Sequence, residues 1–121
     1  SGGGPVTGVE GGRRAVVTFV EQQVGKPYVW ASEGPDSWDC SGLVQAAYRQ
    51  AGVELVHDSS AQGAAGREVT ASEARPGDIL WWPGHVAIYL GDGMMVGAQS
   101  EREGVRRMEV YGAPRYVSVL D

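Results

Sequence analysis

One thiol and one imidazole carry the chemistry open to this chain. Cys40 is its only cysteine and stands in Asp39-Cys40-Ser41-Gly42, where apolar residues at helical spacing begin. A thiol at a helix N-terminus meets unpaired backbone N–H groups and the positive end of the helix dipole. Both favour the nucleophilic thiolate. Forty-five residues on, Gly84-His85-Val86-Ala87-Ile88-Tyr89 sets a histidine at the head of an apolar run that reads as a strand. A cysteine on a helix and a histidine on a strand are the two parts of a cysteine hydrolase. The imidazole takes the thiol proton and later gives one to the leaving amine, while free helix N–H groups form an oxyanion hole. A third polar group must orient the imidazole. The alternative is an inert core cysteine and a satisfied histidine.

The elements that would position this pair are legible as periodicity. Val16, Val17, Phe19, Val20 and Val24 predict a helix over Arg13 to Val24, stopped by Gly25. Lys26-Pro27 ends it, and Tyr28-Val29-Trp30 reads as a buried extended segment. Residues 33–39 form a loop. The second helix runs from Cys40 to about Ala51, with Leu43, Val44, Ala47 and Tyr48 on one face and Gln45, Arg49 and Gln50 turned away. Asp58, Ser59 and Ser60 are candidate caps for a short helix over Ala61 to Ala65. The period then changes to strands: 79–82, 86–90, 94–99, 105–111 and 116–120, with a tight hairpin at Gly91-Asp92-Gly93. Helices first and an antiparallel meander after is an α+β layout.

At 121 residues the chain is one domain able to bury its own core. A net charge of −5 argues against nucleic acid and anionic membranes, and the only lysine is Lys26. No apolar stretch is long enough for a membrane-inserted span. Residues 1–12 are Gly-rich and read as a flexible linker, which leaves 13–121 as the compact unit, expected to be monomeric. One cysteine and two histidines lack the paired spacing of a metal site, and the glycines form no phosphate loop, so no cofactor is expected. Core packing is the default for the four tryptophans. Trp30 and Trp38 flank the nucleophile loop, where they can wall a groove, and Trp81 and Trp82 fall on opposite faces of one strand. Arg102, Glu103, Arg106 and Arg107 read as a solvated face.

Four segments in order carry a resemblance: Gly25-Lys26-Pro27-Tyr28-Val29-Trp30, Asp39-Cys40-Ser41-Gly42-Leu43-Val44, Pro76-Gly77-Asp78-Ile79, and His85 through Gly93. Together they resemble the NlpC family of papain-like cysteine peptidases, bacterial cell-wall endopeptidases, over about residues 13–120. The resemblance implies helices packed on a five- or six-stranded antiparallel sheet and a secreted or wall-associated enzyme. It implies cleavage of peptidoglycan stem peptides, commonly between D-γ-glutamyl and a diamino acid. Cys40 is then the nucleophile and His85 the base, with the Cys40 and Ser41 amides as oxyanion donors. Tyr28 and Asp39 line the substrate groove. Ser59 or Ser60 and Gln62 match the family's Ser and Gln near a helix entry. Asp39 suits a substrate ammonium, though a capping role for its helix is as well supported by type and place.

The resemblance breaks at one position. The family's third catalytic residue falls twelve residues after the histidine, and here that is Gly97. Gln99 faces the same side of its strand and is the candidate stand-in, with a backbone carbonyl or a water as alternatives. His57 stands where the family places a basic residue, at the groove rim, or else is a solvated loop histidine. Three other readings stay open. One is a member that binds peptidoglycan without hydrolysing it; another is a toxin with an immunity protein, or a phage lysin. The last is a related thiol amidase or acyltransferase. Further domains in a parent chain are expected.

Overall fold

A computed structural model of the chain describes residues 8–120, with three helices and six strands. Helix α1 spans Gly8–Gln23, five residues ahead of the start that periodicity predicts. Gly12 is buried there, where a Cβ would lie 3.4 Å from the Ala51 Cβ and 3.5 Å from Leu120, so tertiary packing holds a turn that glycine disfavours. Of the linker expected over residues 1–12, residues 8–12 belong instead to α1, and residues 1–7 lie outside the described residues. Val16 and Val20 are fully buried, and Phe19 meets Trp38 edge-on at 5.7 Å.

Helix α2, Cys40–Arg49, is the centre of the molecule: residues 41–48 are all buried. Gln45 does not turn away as expected; its amide donates to the Leu55 carbonyl at 3.0 Å. Helix α3, Ser59–Gly63, is capped by Asp58, which accepts from Ala61 N at 2.8 Å.

The strands are β1 Arg67–Val69, β2 Ile79–Trp82, β3 His85–Gly91, β4 Met94–Ala98, β5 Val105–Glu109 and β6 Arg115–Ser118. They form one antiparallel sheet in the order β1-β6-β2-β3-β4-β5. Strand β1 is an addition to the sequence reading. It has one buried residue in three and depends on Gly66, where a Cβ would strike the Ser118 carbonyl at 2.2 Å. The β3–β4 hairpin turns through Asp92 and Gly93 at φ 54° and 74°, both in the left-handed region.

Helices α1 and α2 cover one face of the sheet, over Ile79, Val86, Ile88, Val96 and Val117. On the other face Leu80, Ala87, Tyr89 and Met95 are buried against Trp82, Met108 and Tyr116. Trp81 and Trp82 therefore face opposite ways, as alternation requires. Arg13 fastens α1 to the sheet through Asp78 (2.6 Å) and the Ser118 hydroxyl (2.9 Å), both enclosed, and through the partly buried Leu120 carbonyl (2.9 Å). Tyr48 donates its hydroxyl to the Gly77 carbonyl from α2.

The segment 28–30 is not the buried extended piece that its composition predicts. Tyr28 makes only an isolated bridge to Trp38, and Ala31 turns left-handed at φ 64°. That turn leaves Trp30 81% exposed, while Trp38 sinks into the core and donates Nε1 to Gln23 at 3.1 Å.

Candidate active site

The local backbone before α2 prepares the thiol. Asp39 is extended (φ −96°, ψ 177°), so its carboxylate folds back and accepts from Gly42 N at 2.6 Å. Leu43 N donates to the Asp39 carbonyl at 3.1 Å. The Cys40 and Ser41 amides at the start of the helix, and the Val86 amide near the head of β3, are the backbone groups that act to lower the thiol pKa. Gly42 makes this possible. A Cβ there would stand 2.4 Å from the Ser32 carbonyl and 2.8 Å from Asp39 Oδ1.

Burial is the largest influence on Cys40 and raises the thiol pKa. The Val86 amide opposes it, the Asp39 charge adds to it, and the Ser41 and Cys40 amides oppose it again; the net direction is up. The sequence expectation of a thiol lowered by its helix is therefore corrected. Local N–H groups act as foreseen, and desolvation outweighs them.

His85 opens β3 opposite Trp82. Burial lowers its pKa more than its hydrogen bond with Gln99 raises it, so the ring is held neutral. Its Nε2 lies 3.0 Å from Gln99 Oε1. A carboxamide oxygen only accepts, so the proton sits on Nε2 and the Nδ1 lone pair stays open. No direct hydrogen bond joins sulfur and imidazole among the described residues. The resting state is a neutral thiol and a neutral base on neighbouring elements.

Gln99 thus reaches the imidazole that the side-chain-free Gly97 cannot. Its Nε2 donates to the Tyr111 hydroxyl at 3.1 Å. The Trp82 ring lies 5.3 Å from His85 and stacks on Tyr111 at 5.0 Å. Sequence reasoning gave neither Trp82 nor Tyr111 a place here. Hairpin register signals Trp82 opposite His85, but nothing local signals Tyr111.

A groove of about 440 Å³ opens over Cys40 and Ser41, lined by Tyr28, Trp30, Glu33, Asp39, His57, Asp58 and Ser59. Burial and then the nearby Cys40, Asp39 and Glu101 charges raise the Tyr28 phenol pKa. Ser59 lines the groove, whereas Ser60 is exposed and outside it. Gln62 is fully enclosed, donating to the Ser41 carbonyl at 2.9 Å and the Val56 carbonyl at 2.8 Å, so it braces the nucleophile's turn and does not reach the groove. Trp38, expected as a wall, belongs to the core. His57 is no solvated loop residue: Nδ1 lies 3.0 Å from Glu33 and Nε2 2.8 Å from Asp39. Burial pulls its pKa down, but hydrogen bonds to Asp39 and Glu33 and their charges prevail and raise it. Asp39 is therefore both a cap and an ion-pair partner. Asp58, read from the sequence only as a helix cap, and Glu33, placed only in a loop, are groove residues that the sequence does not signal because loop carboxylates carry no pattern.

Residues 25–120 match the family model described as the NlpC/P60 family. A Mycobacterium tuberculosis protein named "Probable endopeptidase" is 41% identical over 118 residues, which cover 90% of this chain and 31% of that protein. The chain spans less than a third of that relative's length. The solved peptidoglycan hydrolase RipB of M. tuberculosis superposes with a TM-score of 0.84 at 31% identity, over 93% of this chain and 67% of that one. RipD of the same organism, described as a non-catalytic domain adapted to peptidoglycan binding, superposes at 0.79 with 29% identity, over 90% and 98%.

Proposed function

The chain belongs to the NlpC/P60 family, and from that premise we propose that it is a cysteine peptidase hydrolysing the stem peptides of peptidoglycan. The observation that carries this is the Cys40 thiol at the N-terminus of α2, in the lining of the groove. As substrate fills the groove, His85 Nδ1 takes the thiol proton, a contact that commonly tightens only in the Michaelis complex. Sulfur adds to the scissile carbonyl, and the oxyanion accepts from the Cys40 and Ser41 amides. The imidazolium returns its proton to the leaving amine, giving a thioester, which a water activated by His85 then hydrolyses. Gln99 keeps the imidazole in the tautomer this cycle needs.

Glu33, Asp39 and Asp58 make the groove suited to a cationic amine, as a stem peptide carries. Resemblance favours the bond between D-γ-glutamyl and a diamino acid, and a secreted or wall-associated monomer. No helix among the described residues is long and apolar enough to cross a membrane. The test is digestion of purified muropeptides followed by mass spectrometry. Native protein should release fragments cut at that bond and Cys40→Ala none; equal turnover by both would refute the reading. A second reading, binding without hydrolysis, is favoured by Gly97 and by the likeness to RipD. Sacculi retained on the protein with no fragments released would decide for it. A toxin or phage lysin would use the same chemistry and differ in its neighbouring genes.

A further inference from the structure

We infer that Tyr111 is a positioning residue for His85, acting through Gln99, and that glycine at position 97 is the opening this arrangement requires. The inference rests on the reading of His85 as the base. Gln99 has a long, flexible side chain at the end of β4, and its own backbone does not oblige the carboxamide to lie over the sheet. Two features pin it there.

The first is empty space. A Cβ on Gly97 would stand 2.6 Å from Gln99 Oε1 and 2.9 Å from the Ala87 Cβ, so any side chain at 97 would take the seat the carboxamide occupies. The glycine and the glutamine are two halves of one solution. The second is a tether. Gln99 Nε2 donates to the Tyr111 hydroxyl at 3.1 Å. Tyr111 is itself held twice by Trp82, through ring stacking at an interplanar angle of 22° and through its carbonyl, which accepts from Trp82 Nε1 at 3.2 Å. Trp82 in turn lies against the His85 ring. Imidazole, carboxamide, phenol and indole therefore close a loop of four side chains around the head of β3. Without the phenol oxygen the carboxamide is free to swing outward, the acceptor at Nε2 is lost for part of the time, and the proton redistributes to Nδ1, where it blocks attack on the thiol.

Tyr111→Phe removes one oxygen and keeps the stacking. It should lower kcat on muropeptide about fivefold to tenfold, the rate equivalent of one neutral hydrogen bond, with KM unchanged. A merely structural role would not touch the imidazole, so the deciding readout is ¹⁵N NMR of His85 in the resting protein. Native protein should show the Nε2–H tautomer, and Tyr111→Phe, Gln99→Ala and Gly97→Ala a mixture. Adding Tyr111→Phe to Gln99→Ala should cause no further loss. An unchanged tautomer in Tyr111→Phe, or losses that multiply in the double variant, would overturn the inference. Native protein that hydrolyses nothing would sink the peptidase reading alone, since the tautomer measurement needs no turnover. A Gly97→Ala variant that fails to fold leaves the Tyr111→Phe comparison to decide.

Discussion

Asp39 performs three tasks at once, and two substitutions pull them apart. Its carboxylate caps α2 through Gly42 N, pairs with His57, and adds negative charge beside Cys40. Asparagine keeps an oxygen for the Gly42 N–H and caps about as well as aspartate, but it removes the charge. Alanine removes both. The cap is worth about 1 kcal/mol. The His57 pair, with side chains 19% and 12% exposed, adds up to about 1 kcal/mol. Asp39→Asn should therefore cost no more than about 1 kcal/mol, and Asp39→Ala roughly 2 kcal/mol. In a domain of this size each kcal/mol lowers Tm by about 4 °C, so differential scanning calorimetry resolves the two variants. The charge makes a separate prediction: because Asp39 raises the thiol pKa, both variants should bring it down. The pH dependence of iodoacetamide alkylation of Cys40 reads this directly. Equal melting of the two variants would refute the capping assignment, and an alkylation midpoint that stays or rises in both would refute the electrostatic one.

Arg13→Met should destabilise by about 3–5 kcal/mol in urea denaturation, since it strands Asp78 in an enclosed site without its cation. Ala31→Gly should stabilise by up to about 1 kcal/mol because the left-handed turn at φ 64° strains a residue with a Cβ; a lower Tm would count against it. His57 has its folded pKa raised above 6.5, so its pairing stabilises fully below that pH and fades as pH climbs through the folded value. The stability gap between native protein and His57→Gln should accordingly shrink as pH rises above the ordinary imidazole value of 6.5, and a gap that widens would show the sign to be wrong.

Much of this architecture is written locally. Ile79–Trp82, His85–Gly91 and Met94–Ala98 are apolar strands buried on both faces, and the turn chemistry of Asp92-Gly93 fixes their hairpin. Alternation alone puts Gln99 on the side of Gly97. What escapes the sequence is set by tertiary placement. Strand β1 exists because Gly66 lets its backbone reach β6, and three residues with one apolar side chain carry no period. Trp30 is thrown outward by the turn at Ala31, while Trp38, eight residues on, fills the core; aromatic type does not distinguish them. The His57–Asp39 contact joins residues 18 apart through a loop. The Cys40 thiol shows the same division: its helix amides are a local property, and the burial that outweighs them depends on the whole fold.

The strand order β1-β6-β2-β3-β4-β5 leaves two margins open to another chain's backbone. One margin, β1, offers a ladder of only three residues. The other, β5, sets Arg106, Arg107 and Glu109 along its length, all exposed. A stray strand docking there must strip water from charge, and at β1 it gains too few bonds to hold. The sheet is thus guarded against self-templated growth at both ends.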